Sequence, residues 1–417
     1  MRRGRGDRTV APERRQPGWA GLGYAAGAIL ALWMALAAAA ALGCALYLRL
    51  LRRPQPRPAV SLPVLVAVPV RGEAGLDGFL AALAAQDYPA WRVVFAVESA
   101  EDPSFAALSR FAAAHPGLAG RVVVSGATGV RAQKVHNLLA ALPALRPDDA
   151  ALVTLDADTL PPPGTLTELL RPILTGQGDL SSGYRWTLPA SPGAGPLLLS
   201  LAEMGVATLP RSARLNLCWG GANAIGRRAL DRLDLPRLWD RAVSDDLSAS
   251  RAAHRTGLVI YAPLTVRPPS PTDLGVADAL RFGARQHRLM RLHSPWRWRL
   301  AGLVLALPVA GGAVALAAAA QGSRAALACL AAAWLLQRVR AALRLAIAKR
   351  VLPPSEAAKA ALTLRRGRWW QPLAHVLHAA AWAGSAAGCR MDWAGRRYRL
   401  TTRGDVRTVA GLPEGSR

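Results

Sequence analysis

Residues 152–158, LVTLDAD, decide the fold: a run of strand-forming residues ends in two carboxylates, Asp156 and Asp158, with one residue between them. In an extended segment, residues i and i+2 point to the same side, so both carboxylates are expected to converge at the strand's end. Paired carboxylates suit a hard divalent cation, which can neutralise a diphosphate. The stretch therefore predicts a buried strand with a Mg²⁺ or Mn²⁺ site, although an isolated Asp-x-Asp also occurs in solvated turns.

Three further apolar runs precede this stretch: PVLVAVPV (63–70), WRVVFAVES (91–99) and RVVVSGAT (121–128). Short runs of this kind are typical of buried parallel strands. Segments with helical spacing, LDGFLAALAAQ (76–86) and SFAALSRFAAA (104–114), lie between them. This alternation predicts an α/β domain with a doubly wound sheet, which binds ligands at the carboxyl ends of its strands.

Two segments without charged residues, 19–48 and 300–320, flank this domain, and hydrophobic residues make up 52% of the chain. Both segments reach the roughly 20 residues that an apolar helix needs to cross a bilayer. The first is too long for the apolar core of a signal peptide and is interpreted as a retained anchor. Residues 325–337 are a shorter candidate, with arginines after them that are expected to snorkel to the headgroups, and residues 373–388 are a marginal one.

The sequence thus predicts five regions along the chain. They are a basic arm (1–18), a transmembrane anchor (19–48), a catalytic α/β domain (60–298), a membrane region of two or three helices (299–389) and a basic tail (390–417). If every C-terminal segment crossed the membrane, the basic tail would lie outside, against the positive-inside tendency. Either residues 325–348 or residues 373–388 are therefore expected to be interfacial or re-entrant.

The formal net charge of +26 raises the question of a nucleic-acid partner. No zinc-ligand spacing, aromatic single-strand platform or helix-turn-helix signal accompanies the charge, so no nucleic acid is predicted. Much of the arginine lies beside apolar segments, as at residues 49–53 and 390–399, which favours an anionic lipid surface. An arginine-rich coding bias is the alternative explanation. The four cysteines are widely spaced and predict neither a metal site nor a disulfide framework.

Six segments follow one another along the chain: AQDYPAWRVVFAVESAEDPS (85–104), AQKVHNLL (132–139), TLDAD (154–158), SDDLSAS (244–250), RFGARQHRL (281–289) and DWAGRRYRL (392–400). This order of motifs, between about residues 63 and 400, resembles that of inverting GT-A-type glycosyltransferases, and more narrowly the ceramide glucosyltransferases and their bacterial, hopanoid-associated relatives. The resemblance implies a GT-A-type, doubly wound mixed sheet with transmembrane helices at both ends. It also implies a hexosyltransferase that moves glucose or N-acetylglucosamine from a UDP-sugar to a lipid hydroxyl.

A ceramide-like acceptor is favoured, and a hopanoid is the alternative within this class. Because nucleotide sugars are cytoplasmic, the catalytic domain is expected to face the cytoplasm from a multi-pass position in the inner (plasma) membrane. A polysaccharide synthase is less favoured, since such enzymes usually carry more extensive membrane channels. From a different class, a non-catalytic membrane protein that binds a nucleotide or lipid remains the alternative.

The resemblance places Asp156 and Asp158 on Mg²⁺ or Mn²⁺ against the diphosphate. It makes Asp246 the catalytic base, with Asp245 beside it as the alternate. The pair opens a helical stretch, where the positive end of the helix dipole helps to keep a carboxylate ionised. Simple capping of that helix is the structural alternative.

Two arginines, Arg285 and Arg288, share a helix face at i, i+3. A guanidinium fork suits phosphate oxygens, so Arg288 is assigned to leaving-group support and Arg285 to substrate binding. A basic helix lying on lipid is the alternative for the flanking Arg281 and Arg291.

Further substrate contacts are expected from Lys134 and Asn137 near the nucleotide or diphosphate, and from Glu98 and Asp102 near the nucleotide. A surface helix start is the alternative for the first two. Gly221, in the turn WGGANAI (219–225), is expected to face the acceptor, unless the turn needs glycine only for a positive φ.

The chain departs from the family pattern at two positions. Ser99 stands where the first acidic motif has its functional acid, so Glu98 or Asp102 is expected to substitute. Leu289 stands where an aromatic residue follows the arginine of the last helical motif, so acceptor choice is expected to differ. Both departures favour the non-catalytic alternative, whereas the retained residues favour an enzyme: Asp156, Asp158, Asp246 and Arg288.

Overall fold

The structure, a computed structural model, describes residues 19–411. The predicted basic arm, residues 1–18, and the end of the predicted tail, residues 412–417, lie outside the described residues. The chain runs from one long apolar helix into an α/β domain, then through three long helices into a small sheet at the end.

Twelve strands are present in the described residues. They are β1 (Val64–Pro69), β2 (Trp91–Val97), β3 (Arg121–Val124), β4 (Ala151–Leu155), β5 (Leu180–Ser182), β6 (Trp186–Pro189), β7 (Ala222–Gly226), β8 (Ile260–Tyr261), β9 (Pro269–Thr272), β10 (Arg390–Trp393), β11 (Arg396–Leu400) and β12 (Val406–Gly411). The main sheet has the order β3-β2-β1-β4-β7-β5-β8, while β6 pairs with β9 and β10–β12 form a third sheet.

Thirteen α-helices are present in the same part of the chain. They are α1 (Trp19–Leu51), α2 (Leu76–Ala84), α3 (Ser104–Ala114), α4 (Gln133–Ala141), α5 (Thr165–Leu174), α6 (Ala194–Ala207), α7 (Arg227–Leu233), α8 (Leu235–Leu238), α9 (Asp245–Arg255), α10 (Val276–His293), α11 (Pro295–Ala320), α12 (Arg324–Val351) and α13 (Pro354–Gly384). Short 3₁₀ turns, Pro116–Leu118 and Leu142–Ala144, lead out of α3 and α4.

The main sheet is mixed. Strands β3, β2, β1 and β4 are parallel, and β7 lies antiparallel to both β4 and β5. In β1, Val64, Val66 and Val68 enter one buried core and Leu65 and Ala67 the other, which is the two-residue period of a strand covered on both faces. The predicted α/β class, with a doubly wound mixed sheet between apolar terminal helices, is confirmed.

Within residues 19–411, three helices are long and apolar enough to cross a membrane: residues 23–51, 295–320 and 324–351. The third candidate, expected as a helix with a cationic end, is α12, which continues through its arginines to Val351. Arg344 does not snorkel outward. It is buried, and its Nε donates to the Thr208 Oγ1 at 3.3 Å, at the contact between the helices and the α/β domain.

The tail sheet, β10–β12, packs onto the α/β domain. Four side chains of this sheet are buried in the core on the side of the main sheet where α4 packs: Met391, Tyr398, Leu400 and Val406. The connection from β10 to β11 is a two-residue turn in which Ala394 and Gly395 have φ values of 53° and 72°. Positive φ at both central residues is the type I′ pattern, whose twist matches the flanking strands.

Candidate active site

A buried lysine joins the ends of three elements at the carboxyl edge of the sheet. Lys134, in the first turn of α4, has its Nζ 2.8 Å from Asp156 Oδ1 and 3.3 Å from Asp245 Oδ1. The same ammonium donates to the Gly220 carbonyl at 3.0 Å. Together with Asp246, these groups form what we call the carboxylate–lysine cluster: Lys134, Asp156, Asp245 and Asp246.

Burial and the charge of neighbouring groups shift the pKa values of this cluster in opposite directions. Burial raises the pKa of Asp156 to about 7, although Lys134 opposes the shift. Burial also raises the pKa of Asp245, again against Lys134 and with the help of neighbouring Asp246. Burial alone would lower the pKa of Lys134, but the three carboxylates together raise it above its usual range. The lysine is therefore charged, while two carboxyls have an increased affinity for protons.

Asp246 is held in one orientation by neutral donors. Its Oδ2 accepts from the Gly220 backbone N–H at 2.7 Å, and its Oδ1 accepts from the Leu247 N–H at 2.7 Å and from the Ser244 hydroxyl. The N-cap of α9 is Ser244, whose hydroxyl accepts from Leu247 at 3.3 Å. The capping role proposed as the structural alternative thus falls to Ser244, and Asp245 and Asp246 occupy the first turn.

Two glycines make this arrangement possible. A Cβ on Gly220 would lie 2.7 Å from the Lys134 ammonium and 3.3 Å from the Asp246 carboxylate. A Cβ on Gly221, the glycine singled out in the sequence, would lie 2.2 Å from the ring of Trp219. Neither glycine has a positive φ among the described residues, so close approach and not turn geometry accounts for them. The GG doublet was the signal for Gly220, which sequence reasoning missed.

Asp158 lies apart from the cluster. The expectation that both acids sit on an extended segment is wrong, because β4 ends at Leu155 and the Thr159 N–H and hydroxyl both bond back to the Asp156 carbonyl, at 3.3 and 2.9 Å. Asp158 therefore falls within a turn and is exposed. In the described part of the chain it makes no ion pair.

Two arginines lie within electrostatic reach of Asp158, and with it they form what we call the arginine shelf: Asp158, Arg185 and Arg285. The guanidinium of Arg185 is 2.8 Å from Glu203 and 4.7 Å from the ring centroid of Phe282. Arg285 lies 5.3 Å from the same ring, and burial followed by Arg185 lowers its pKa to about 10, against the attraction of Asp158. No sequence motif signalled Arg185.

Arg288 is turned away from both groups. Its Nη1 donates to the Arg390 carbonyl at 2.8 Å and its Nη2 to the Gly384 carbonyl at 3.0 Å. It thereby holds the connection between α13 and the tail sheet. Leu289, one of the two departures, packs against the core beneath that sheet.

The remaining sequence-predicted residues lie around the loops after β1, β2 and β3. Asn137 is buried and donates to the Ala96 carbonyl at 2.9 Å. Asp102 accepts from the Gly72 N–H at 3.0 Å and from its neighbour Ser104, so it fixes two loops. Glu98 pairs with Arg396 of the tail sheet, one of the arginines that the sequence assigned to an anionic lipid surface and that the structure instead turns towards the α/β domain.

The acidic residues fit a hard divalent ion only in part. No group of three or more His, Cys, Asp or Glu side chains able to hold a metal occurs within residues 19–411. Asp156 bonds to Lys134 through Oδ1, and exposed Asp158 adds a second carboxylate close enough to raise the pKa of Asp156. Two carboxylates suit an ion such as Mg²⁺, which usually completes its shell with substrate phosphates and water.

Comparison with known proteins identifies one family. The profile described as "Glycosyl transferase family 21" matches residues 29–406, which include most of α1, the whole α/β domain and strands β10 and β11 of the tail sheet. No curated protein matches the chain.

Solved structures resemble the chain at low sequence identity. The mannosyltransferase PcManGT from Pyrobaculum calidifontis, in complex with GDP-Man and Mn²⁺, is 22% identical over 82% of this chain and 99% of its own, with a TM-score of 0.49. Glucosyl-3-phosphoglycerate synthase from Mycobacterium tuberculosis, in complex with Mn²⁺, UDP and glucosyl-3-phosphoglycerate, is 21% identical over 52% and 77% of the two chains, with a TM-score of 0.33. GalNAc-T7 with UDP, GalNAc and Mn²⁺ is 14% identical over 51% and 44%, with a TM-score of 0.39.

Proposed function

The chain belongs to glycosyl transferase family 21, and from that premise we propose that it is a membrane-bound hexosyltransferase with a UDP-sugar donor and a lipid hydroxyl as acceptor. The observation that carries the proposal is the carboxylate–lysine cluster. Lys134 ties the end of β4 to the start of α9, and Gly220 fixes the Asp246 carboxylate in one orientation beside them. A pre-set acid and cation of this kind are what sugar transfer from a diphosphate requires.

Asp246 is the proposed base. Transfer with inversion needs a carboxylate that removes the proton from the acceptor hydroxyl as that oxygen attacks the sugar. Three donors fix the Asp246 oxygens, so the group is oriented before the acceptor arrives. Asp245 is more deeply buried and bonded to Lys134, which suits it to holding the ammonium in place.

The leaving diphosphate meets positive charge on two sides. Asp156 and Asp158 would hold Mg²⁺ or Mn²⁺, which supplies Lewis-acid stabilisation of the diphosphate. Lys134 contributes a buried ammonium next to Asp156. We assign the supporting guanidinium to Arg285, with Arg185 beside it, because both lie near Asp158 whereas Arg288 is bonded to carbonyls of the α13–tail connection.

The tail sheet supports a specific membrane topology. It packs into the core of the α/β domain, so tail and domain lie on the same side of the membrane. The chain between them must cross an even number of times. Crossings by α11 and α12 satisfy this, and α13 then lies at the interface, where it packs on α6 and α10 of the domain. With α1 as the third span, the catalytic domain faces the cytoplasm from the inner membrane.

Exposed aromatic side chains suit the proposed lipid contact. Trp296, at the start of α11, is 51% exposed, and Trp369 and Trp370, in the middle of α13, are 66% and 39% exposed. Tryptophan is enriched at headgroup level, and the surrounding arginines favour anionic lipids. Trp298 is not part of this surface, because it stacks on Trp382 with ring centroids 4.8 Å apart.

A ceramide-like acceptor is the proposed substrate, and lipid analysis tests it. Lipid extracts of a deletion strain and its parent are compared by mass spectrometry, with a complemented strain as the control. Loss of a glycosylated sphingolipid supports the proposal, and loss of a glycosylated hopanoid corrects the acceptor. Unchanged lipids together with an altered polymer would contradict a lipid acceptor altogether.

A further inference from the structure

One turn of the tail sheet contacts the loops that follow three neighbouring parallel strands. After β1, Arg71 donates to the Ala394 carbonyl in the β10–β11 turn. After β2, Glu98 pairs with Arg396, the residue that follows the turn. After β3, the Thr128 carbonyl accepts from Arg396 at 3.4 Å. The carboxyl edge of this half of the sheet is therefore covered by the tail.

Arg396 also reaches the helix that carries the cluster lysine. Its Nη1 donates to the Gln133 Oε1 at 2.6 Å. Gln133 is buried next to Lys134, and its Nε2 donates to the Gly126 carbonyl at 2.8 Å and to Asn137 at 2.9 Å. One guanidinium thus joins the Glu98 carboxylate to the start of α4.

This turn lies where the nucleoside end of the donor belongs. In the order β3-β2-β1-β4, strand β2 lies two places from β4. At the usual spacing of neighbouring strands, the end of β2 is about 10 Å from the end of β4, where Asp156 lies. A nucleoside diphosphate whose phosphates lie at Asp156 extends across β1 towards Glu98.

We propose, on the basis of the proposed function, that the tail sheet forms the outer wall of the donor site and that Arg396 is a positioning residue for the nucleoside end. An unpaired Glu98 carboxylate there would repel an anionic nucleoside diphosphate. Arg396 neutralises it and also fixes Gln133 beside Lys134. The partly exposed pair, at 15% and 27%, is accessible to a bound nucleotide.

The neighbouring residue provides a matched control. Arg397 lies next to Arg396 on β11 but pairs with Asp392, to which it donates two hydrogen bonds of 2.8 Å. Both members of this pair are about half exposed, and neither forms a side-chain hydrogen bond or ion pair with the described residues of the loops after β1–β3. Loss of Arg397 removes a positive charge from the same strand without affecting Glu98 or Gln133.

The experiment measures binding of UDP with Mn²⁺ to the full chain in detergent by calorimetry, together with the donor KM and kcat. Arg396→Gln is expected to weaken UDP binding and raise the donor KM by about tenfold, with kcat little changed. Glu98→Gln combined with Arg396→Gln should recover most of that loss, because the repelling charge is gone. Arg396→Lys should bind more tightly than Arg396→Gln, and Arg397→Gln should bind like the unaltered protein.

Each outcome tests either the role of Arg396 or the proposed function itself. If the unaltered protein binds UDP and Arg396→Gln binds it equally well, the inference is overturned while the proposed function stands. A double variant as weak as Arg396→Gln would overturn the role of Glu98. If Arg396→Gln does not fold, the UDP affinity of Arg396→Lys must still differ from that of Arg397→Gln. An unaltered protein that binds no UDP contradicts the proposed function and the inference together.

Discussion

The carboxylate–lysine cluster and the arginine shelf hold their charges in different ways. In the cluster, Lys134 contacts Asp156 and Asp245 directly, and backbone donors fix Asp246. On the shelf, Asp158 is exposed, and Arg185 and Arg285 stack on aromatic rings. The difference indicates that the side chains of the cluster are held in place before ligands bind. The contacts of the shelf, in contrast, are completed only when a ligand binds there.

The largest effect is expected in the carboxylate–lysine cluster. Asp246→Asn should leave the protein folded in membranes and lower sugar transfer by roughly 10²–10⁴-fold, the usual contribution of a positioned base. Asp240→Asn is the matched control, because Asp240 is an exposed acid of the preceding loop that pairs only with Arg131 among the described residues. Initial rates with labelled donor measure the effect. Near-normal turnover of Asp246→Asn would remove Asp246 from the mechanism.

Loss of the cluster's cation should cost stability as well as activity. In Lys134→Met, buried Asp245 and partly exposed Asp156 lose their positive partner. Because the Asp156 side chain is 29% exposed, the loss is expected to stay below the roughly 3 kcal/mol that breaking a fully buried pair costs. Lys359→Met is the control, since Lys359 is exposed and pairs with Glu356 on the same helix. Denaturant or thermal unfolding in detergent compares the variants. Equal midpoints would show that Lys134 does not hold the cluster together.

The pKa of Asp156 gives metal binding a defined pH dependence. Because burial raises this pKa to about 7, a proton competes with the metal below that pH. Metal affinity should therefore be about tenfold weaker at pH 6 than at pH 8, as expected for one competing proton on such a group. Calorimetry with Mn²⁺ and UDP at the two pH values measures the ratio. Affinity that does not change with pH would mean that Asp156 is not a ligand.

The raised pKa of Asp156 also has a consequence for stability. Between the usual pKa of an aspartate and about 7, the folded state binds a proton that the unfolded state has released, so stability falls as pH rises through this window. Asp156→Asn removes the titrating group. The variant should therefore lose less stability than the unaltered protein between pH 5 and pH 8, and a steeper loss in the variant would contradict the shift.

The smallest effect separates two arginines on one helix. Arg285→Gln should raise the donor KM several-fold, because Arg285 lies near Asp158 on the shelf, and Arg288→Gln should raise it less. Arg288→Gln should mainly lower thermal stability, since its carbonyl partners Gly384 and Arg390 lose a donor. Steady-state kinetics with both variants measures the difference. If Arg288→Gln raised the donor KM more than Arg285→Gln, leaving-group support would be assigned to Arg288 again, as predicted from the sequence.

The parts of the fold that follow from local pattern were predictable. Strand β4 was visible as an apolar run, and Asp246 was expected at a helix start, where the structure has it. The turn that separates Asp156 from Asp158 was not predictable, because it depends on Thr159 bonding back to the chain after β4. The sequence pattern therefore predicted strand β4 and the two acids, but not the relative direction of the two carboxylates.

The long-range contacts were beyond sequence reasoning. Arg396 meets Glu98 across a separation of 298 residues, and Arg185 meets Glu203 on the separate helix α6. Such contacts depend on how whole elements pack, and no spacing rule links the residues. The choice between Arg288 and Arg285 depends on the same kind of contact, since only the packing of α13 and the tail shows which guanidinium is bonded to carbonyls.

The central claim is metal-assisted transfer of a sugar from a UDP-sugar to a membrane lipid. Its most direct test is incorporation of labelled sugar from UDP-glucose and UDP-N-acetylglucosamine into organic-extractable lipid by membranes that carry the protein, with Mn²⁺, with a chelator, and with metal restored. We expect labelled lipid from one of the donors, its loss on chelation and its recovery with Mn²⁺ or Mg²⁺. No labelled lipid from either donor, or labelling that survives exhaustive chelation, would contradict the account.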